Sequence, residues 1–179
     1  PARAGPLHLP DPAEAAQMRA QHACFFAEFV FARQKQLLIG QKTTIQEIDT
    51  ELEEIRHAWQ FALVERRSDL CSILVDGLSQ IYRIHGFNPE GKDRFLKAVE
   101  AFSQVSVQNA ELQSTNDFLV ARLLLRQARF NLLLGEVKES RKALERSHPI
   151  IQASNDRTEQ AHWLAQMSSV EDFANQRQL

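Results

Sequence analysis

Several residue types that specify other classes of protein are scarce in this chain. Its 179 residues include only six glycines, six prolines, two cysteines and one tyrosine. Cys24 and Cys71 are too few for a disulfide framework, and both lie in apolar helical patterns, so we expect buried free thiols. No apolar run approaches the ~20 residues of a membrane span. The chain opens without Met or a secretory signal, and we expect a cytoplasmic piece of a longer protein.

The chain also lacks the motifs of common catalytic and nucleotide-binding sites. It contains no GxxxxGK[ST] phosphate-binding loop and no GxSxG nucleophile elbow. The histidines are scattered, and the one grouping that a metal could use, Glu53, Glu54 and His57, is better interpreted as a surface salt-bridge face. We therefore expect no enzyme activity, no cofactor and no metal. The formal net charge of -2 predicts no general attraction to nucleic acid.

What the chain does have is helical periodicity. Its composition, 44% hydrophobic and 25% charged residues, is typical of a soluble protein with a core, and few β-branched alternations occur, so we predict an all-α fold. Apolar residues at helical spacing predict seven helices, near residues 12–39, 44–66, 69–85, 89–107, 116–134, 136–153 and 157–175. Residues 1–12, which hold four of the prolines, predict an extended arm or linker, and residues 13–179 a single helical domain.

Residues typical of helix ends mark several of these boundaries. Candidate starts are Asp11 with Pro12, Thr43 or Thr44, Asn88 with Pro89, and Asn116 or Asp117. Thr44 and Glu47 have the spacing of a capping box. Residues 106–115 read as a longer connection, and Pro149 predicts a kink or an end near His148.

Two glycines predict helical hairpins. An apolar pattern that includes Phe118 and Leu132 stops at Gly135, and a second begins at Val137; a similar pair of patterns flanks Gly86. Glycine favours the left-handed backbone conformation that commonly ends a helix. A helical hairpin leaves an apolar face that a second hairpin can cover, so we predict a stack of antiparallel hairpins.

Two surface patterns leave alternatives open. Four phenylalanines of the first helix, Phe25, Phe26, Phe29 and Phe31, do not fit one narrow stripe. Either neighbouring helices surround this helix, or one of its faces meets a domain outside this chain. Basic residues also step along the fifth and sixth helices, with acids between them: Arg122, Arg126, Arg129, Lys138, Arg141, Lys142 and Arg146. We interpret these as a solvated, internally paired face rather than a nucleic-acid site.

The segment ARFNLLLGEVKESRKALE around Gly135 resembles a tetratricopeptide repeat, with Ala128, Gly135 and Leu144 on the small, turn and large positions of the motif. Ser140 and Ser147 stand where that family usually has Ala. Upstream, HACFFAEF and IQEIDTELEEIRHAWQFALVERRSDL are similar to the region after the nucleotide-binding domain in bacterial signal-transduction ATPases with numerous domains. These include maltose-activator-like regulators and cyclase-linked ATPases. The residues that carry this match are Leu52, Glu53, Ile55, Ala58, Trp59, Ala62 and Leu63.

The resemblance implies a right-handed superhelix of hairpins that serves as the sensor arm of such a transcription-regulating or signalling ATPase. Stacked hairpins commonly form a concave surface that holds a peptide, a protein or a small molecule. The polar residues that we expect to face such a groove are Gln80, Arg83, Arg122, Arg126, Gln127 and Asn131. The expected partner is another protein, a neighbouring domain of the same polypeptide or a small-molecule inducer, without direct contact to nucleic acid or membrane. The alternative is a structural or oligomerisation adaptor that has no ligand of its own.

Overall fold

The computed structural model describes residues 11–105 and 108–176, and its regular structure in these ranges is entirely α-helical. The all-α class is therefore confirmed. Eight helices are present in the described residues, one more than predicted. In chain order they are α1 (Pro12–Leu38), α2 (Lys42–Thr50), α3 (Leu52–Val64), α4 (Ser68–Ile84), α5 (Asn88–Ser103), α6 (Ala110–Leu133), α7 (Val137–Ala153) and α8 (Arg157–Gln176).

The first helix begins where the sequence predicts. The side chain of Asp11 accepts a hydrogen bond from the backbone N–H of Ala13 at 3.5 Å, and Pro12 occupies the first turn. Proline suits this position because the N–H that it lacks would have no partner within the helix. The predicted arm over residues 1–12 falls almost entirely outside the described residues.

The helix predicted over residues 44–66 is two helices, α2 and α3, which are separated at Glu51. The predicted capping box is also wrong, because Thr44 lies buried inside α2. The turn before α2 explains the earlier start. Gly40 has a φ of 69°, and Gln41 N–H bonds the carbonyl of Gln36 at 2.9 Å, so the preceding helix is already closed when Lys42 is reached.

The fifth predicted helix, our α6, starts six residues earlier than its predicted boundary. The side chain of Asn109 accepts from the N–H groups of Glu111 and Leu112, at 2.8 and 3.2 Å, and so provides the cap expected from Asn116 or Asp117. Asn116 is instead buried and donates its amide to the carbonyl of Phe102 at 3.0 Å. The predicted long connection is thus helical from residue 110, and α5 ends at Ser103.

Helix α7 continues through Pro149 to Ala153, so the predicted end near His148 is wrong. Proline removes one hydrogen bond from the helix interior. Ile151, two residues further on, is only 1% exposed and belongs to the core. Packing of this side chain holds the last turn in place despite the missing bond, since tertiary contacts supply most of the stability of helices in proteins.

Both predicted turn glycines are confirmed. Gly86 has a φ of 69° and Gly135 a φ of 76°. After each, the next residue returns a hydrogen bond to the helix that has just ended: Phe87 N–H to the carbonyl of Tyr82 at 2.9 Å, and Glu136 N–H to that of Asn131 at 2.8 Å. These bonds satisfy carbonyls that the helix end leaves free.

The helices pack in a regular order. The hairpins α4–α5 and α6–α7 each pair neighbours in sequence, and α1 pairs with α3. In addition α4 packs on α1, α6 on α4, and α8 on α6. We call α1, α4, α6 and α8 the central row. Its helices approach closely at Gly77, where an added Cβ would lie 2.1 Å from Cγ1 of Val30.

Aromatic rings join the helices outside the central row to its core. The ring of Phe95 on α5 lies 5.5 Å from that of Trp59 on α3 and 5.6 Å from that of Phe130 on α6, and all three residues are fully buried. Ring pairs at such separations stabilise a core beyond the burial of their surface. The buried apolar residues, from Ala23 to Val170, form one continuous cluster.

The first helix is only partly surrounded. Phe26 is buried and Phe29 half-buried, whereas Phe25 and Phe31 are 59% and 62% exposed. The interpretation that neighbouring helices surround α1 is therefore wrong for these last two residues, because α2, α3 and α4 cover only one side of it. Of the two free cysteines, Cys71 is buried as expected and Cys24 half-buried. None of the described helices has the length and apolarity needed to cross a membrane.

Candidate functional site

The central row encloses one side of a cavity of about 480 Å³, which we call the central cavity. Every helix of the row contributes to its lining: Gln34, Lys35 and Leu38 of α1, Asp76, Gly77, Ser79, Gln80 and Arg83 of α4, Arg126 and Arg129 of α6, and Thr158, His162, Ala165 and Gln166 of α8. Some of these side chains are engaged within the protein: Gln34 donates to the carbonyl of Ile73 at 3.2 Å, and Gln80 donates to that of Leu37 at 3.4 Å.

A second cavity of about 610 Å³, the side cavity, lies between α5, α6 and α7. Its charged residues are largely paired with one another. Lys92 donates to Glu136 at 2.5 Å, and Lys142 donates to Glu139 at 2.8 Å. This pairing leaves the side cavity close to neutral.

Of the six predicted groove residues, three line the central cavity, two line the side cavity and one lines neither. Gln80, Arg83 and Arg126 line the central cavity. Gln127 and Asn131 face the opposite side of α6 and line the side cavity. Arg122 lines neither and is held by neighbouring carboxylates. The sequence therefore placed three residues at the same cavity, but it did not distinguish the two faces of α6.

A network of four charged residues joins α4, α6 and α8 beside the central cavity, and two of its members, Asp76 and Arg126, line that cavity. Arg126 donates to both oxygens of Glu159, at 2.9 and 2.6 Å, and to Asp76 at 3.0 and 2.5 Å. Arg122 adds hydrogen bonds of 2.7 Å to Asp76 and 3.0 Å to Glu159. Arg122 also donates to the backbone carbonyl of Ser72 at 3.2 Å. The two arginines of α6 thus tie α4 to α8 through two carboxylates.

Burial makes this network more than a surface ion pair. Arg126 is 7% exposed and Glu159 3% exposed. Burial alone would raise the pKa of Glu159, but the neighbouring His162 and the charges and hydrogen bonds of Arg126 and Arg122 lower it to about 2. The pKa of Arg126 is raised, since Asp76 and Glu159 outweigh the effect of its burial. The expected solvated basic face is therefore wrong for Arg126, which is buried, and for Arg122, which is largely so.

The start of α8 fixes Glu159 at this position. Asp156 caps α8, because its side chain accepts from the backbone N–H groups of Thr158 and Glu159 at 3.0 and 3.1 Å. Gln160 reaches back to the carbonyl of Ser154 at 2.8 Å. One turn further on, Trp163 donates from its indole N–H to the carbonyl of Leu144 at 2.9 Å. The helix is thereby anchored to α7 on one side and to the network on the other.

Three basic residues at the central cavity have no carboxylate partner. Lys35, Arg83 and Arg129 make no ion pair in the part of the chain that the structure describes. Arg83 donates only to the side-chain oxygen of Gln80, at 2.7 Å. Its pKa is lowered, first by burial and then by the charge of Arg129, which lines the same cavity.

Some buried oxygens at the two cavities lack a hydrogen-bond donor. Among the residues that line the central cavity this holds for Oε1 of Gln166, a residue only 8% exposed whose Oε1 is itself closed to solvent. At the side cavity the same holds for Oδ1 of Asn131 and Oε2 of Glu136. A buried oxygen without a donor is unfavourable, so each of these atoms lowers the stability of the packing around it.

Sequence reasoning missed Asp76, Glu159 and Gln166. The available signal was the pair Arg122 and Arg126, spaced four apart on a helix whose surrounding residues are largely apolar. Buried arginines require carboxylate partners, and Asp76 and Glu159 supply them in the structure. The spacing could not tell which acids would be chosen, because the partners lie 50 and 33 residues away in sequence.

The predicted salt-bridge face on α3 carries ion pairs. Glu54 lies 2.9 Å from Nε2 of His22 and 3.5 Å from Nδ1 of His57, and Glu53 pairs with Arg56. Within the described residues no group of three or more His, Cys, Asp and Glu side chains could hold a metal ion. Comparison of the chain with protein-family models, curated proteins and solved structures gives no significant match.

Proposed function

We propose that this chain is a non-enzymatic binding module that receives a ligand, either a segment of a partner protein or a small molecule, in the central cavity. One observation carries the proposal: all four helices of the central row line this cavity, and they bring to it three basic side chains that form no ion pair within the described residues. A concave site with a few convergent polar groups is the usual form of a ligand site.

The proposal assigns binding rather than bond chemistry to the site. Its most strongly interacting ionisable groups, Arg126 and Glu159, bond to each other and to Asp76 and Arg122. Such paired groups are suited to holding α8 in place. A ligand that touched α8 and α4 together would stabilise the packed arrangement of the row by its binding free energy.

The resemblance of residues 22–29 and 45–70 to signalling ATPases supports a wider proposal. In it the hairpins continue a right-handed superhelix, and the chain is a cytoplasmic part of a transcription-regulating or signalling ATPase. A ligand that binds one arrangement of α8 more tightly than another would shift the balance between the off and on states of that ATPase. The signalling partner would then be a neighbouring domain of the same polypeptide.

The direct test is a nuclear magnetic resonance screen of the isotope-labelled chain against small molecules and short peptides. The proposal expects hits whose amide shifts cluster on α1, α4, α6 and α8. The proposal would be contradicted if the amide shifts were confined to α3, α5 or α7. It would also be contradicted if a well-folded chain bound none of the compounds or peptides.

A second candidate, an assembly or adaptor role, is favoured by the apolar side of α1. Phe25 and Phe31 are more than half exposed, and Leu38 and Ile39 are 72% and 79% exposed. Sedimentation velocity over a range of concentrations tests this role. It expects a dimer that the double variant Phe25→Ser/Phe31→Ser abolishes while helicity is retained. A wild-type chain that stays monomeric would count against self-assembly.

A further inference from the structure

The central cavity carries an excess of positive charge. Four basic residues line it, Lys35, Arg83, Arg126 and Arg129, against a single carboxylate, that of Asp76. Arg126 and Asp76 bond to each other, so the excess comes from the other three. Arg83 lies on α4 and Arg129 on α6. Neither arginine forms an ion pair with an acid of the described residues.

We propose that the central cavity binds an oxyanion, a carboxylate or phosphate group, between Arg83 and Arg129, with Lys35 lining the same cavity. This inference rests on the proposed function and names the ligand class of the same site. Arginine is well suited to the role because its planar fork of N–H groups matches the oxygens of carboxylates and phosphates.

The cationic pair gives the first physical reason. Arg83 and Arg129 both line the central cavity, and guanidinium groups that share a cavity repel each other when nothing neutralises them. In agreement with this, the pKa of Arg83 is lowered, first by burial and then by the charge of Arg129. An anion between them removes the repulsion and gains two charge-assisted hydrogen bonds. Asp76 cannot serve as this anion, because Arg122 and Arg126 already occupy both of its oxygens.

The rest of the lining gives the second reason. Ala165 on α8 and Leu38 on α1 present apolar surface to the same cavity. The ligand that fits these groups has an acidic end for the arginines and a short apolar part.

The test uses the whole chain and two sets of probes at constant ionic strength. Sodium succinate and N-acetylated amino acids represent carboxylates; sodium phosphate and serine phosphate represent phosphates; sodium chloride is the ionic control. The readout is the side-chain Nε–H resonances of Arg83 and Arg129 during titration. We expect saturable shifts of these resonances with the carboxylates or with the phosphates, and no shift with chloride. The set of probes that binds more tightly shows whether the oxyanion is a carboxylate or a phosphate.

Two double variants with the same change in net charge make the result specific. Arg83→Gln/Arg129→Gln is expected to weaken the binding of the best probe at least ~10-fold, as the loss of charge-assisted hydrogen bonds would. The control variant Arg19→Gln/Arg146→Gln removes two exposed arginines that do not line the central cavity. It is expected to bind the same probe with an affinity within about twofold of the wild-type value, since distant surface charges are screened. Circular dichroism checks that both variants fold.

The outcomes separate this inference from the function on which it rests. Equal affinity in both double variants, or no probe that shifts either arginine, would overturn the oxyanion assignment. Neutral or cationic hits from the broader screen that map to the central cavity would then still support a binding module with a different ligand. Hits of no class at the central cavity would overturn both.

Discussion

Arg126 of α6 and Glu159 of α8 meet as a buried, two-point ion pair, with Nη1 to Oε2 at 2.9 Å and Nη2 to Oε1 at 2.6 Å. The same guanidinium group also bonds Asp76 of α4. A single side chain therefore connects three helices of the central row. This connection and the packing of α8 on α7 together hold α8 beside the central cavity.

Replacing Glu159 by Gln is expected to lower the free energy of unfolding by about 3 kcal/mol, because removing one partner of a buried ion pair leaves the other uncompensated. Chemical denaturation measures the loss, and hydrogen exchange should show α8 opening first. The matched control is Asp93→Asn, which breaks an exposed pair with Lys97 and should cost at most ~0.5 kcal/mol. Equal costs in the two variants would show that burial of the network does not matter.

The same carboxyl predicts how stability depends on pH. Its pKa is about 2 in the folded chain against an ordinary 4.5. A lowered pKa means that its contribution is complete above about pH 5 and is lost as the pH falls toward 2. The free energy of unfolding should therefore drop by about 3 kcal/mol more in the wild-type chain than in Glu159→Gln over this range. Parallel pH profiles for the two proteins would contradict the assignment.

The contact between α1 and α4 makes a prediction of the opposite kind, in which an added atom does harm. Gly77→Ala places a Cβ 2.1 Å from Cγ1 of the fully buried Val30. Alanine favours a helix by ~1 kcal/mol over glycine, yet overpacking at a stiff, β-branched neighbour should leave a net loss of about 2 kcal/mol.

Adding Val30→Ala tests the reason for that loss. In the double variant the new methyl group has room, so Gly77→Ala should cost less on the Val30→Ala background than on the wild type, by at least ~1 kcal/mol. Thermal or chemical denaturation of the four proteins gives this coupling. Additive costs would mean that the space between α1 and α4 does not limit residue 77.

The helical class, both turn glycines and the first cap followed from the sequence because each depends on neighbours within a few residues. Gly86 and Gly135 occupy the left-handed conformation that their place between apolar patterns predicts. The errors came from competition between local signals. Asparagine is a good helix cap at either position 109 or position 116. Asn109 caps α6 in the structure, whereas the side chain of Asn116 donates to the carbonyl of Phe102.

The candidate site was less accessible to prediction because its parts come from distant segments. Spacing alone identified Arg126 as a polar residue of interest, but not that Asp76 and Glu159 would bury it. Ser140 is a similar case. It stands where the resembling family usually has Ala, and here its hydroxyl donates to the carbonyl of Ala128 at 2.8 Å, so the polar residue joins α7 to α6 instead of loosening their contact.

The central claim is that ligands enter the cavity between α1, α4, α6 and α8, and steric blocking tests it most directly. Ala165 is an exposed residue of α8 that lines this cavity, whereas Ala161, one turn earlier and also exposed, does not. The compounds or peptides that bind the wild-type chain are titrated into the variants Ala165→Trp and Ala161→Trp, and the affinity for each variant is measured. Our account expects Ala165→Trp to lose binding at least ~10-fold and Ala161→Trp to keep it. Unchanged affinity in Ala165→Trp, in a folded protein, would contradict the account.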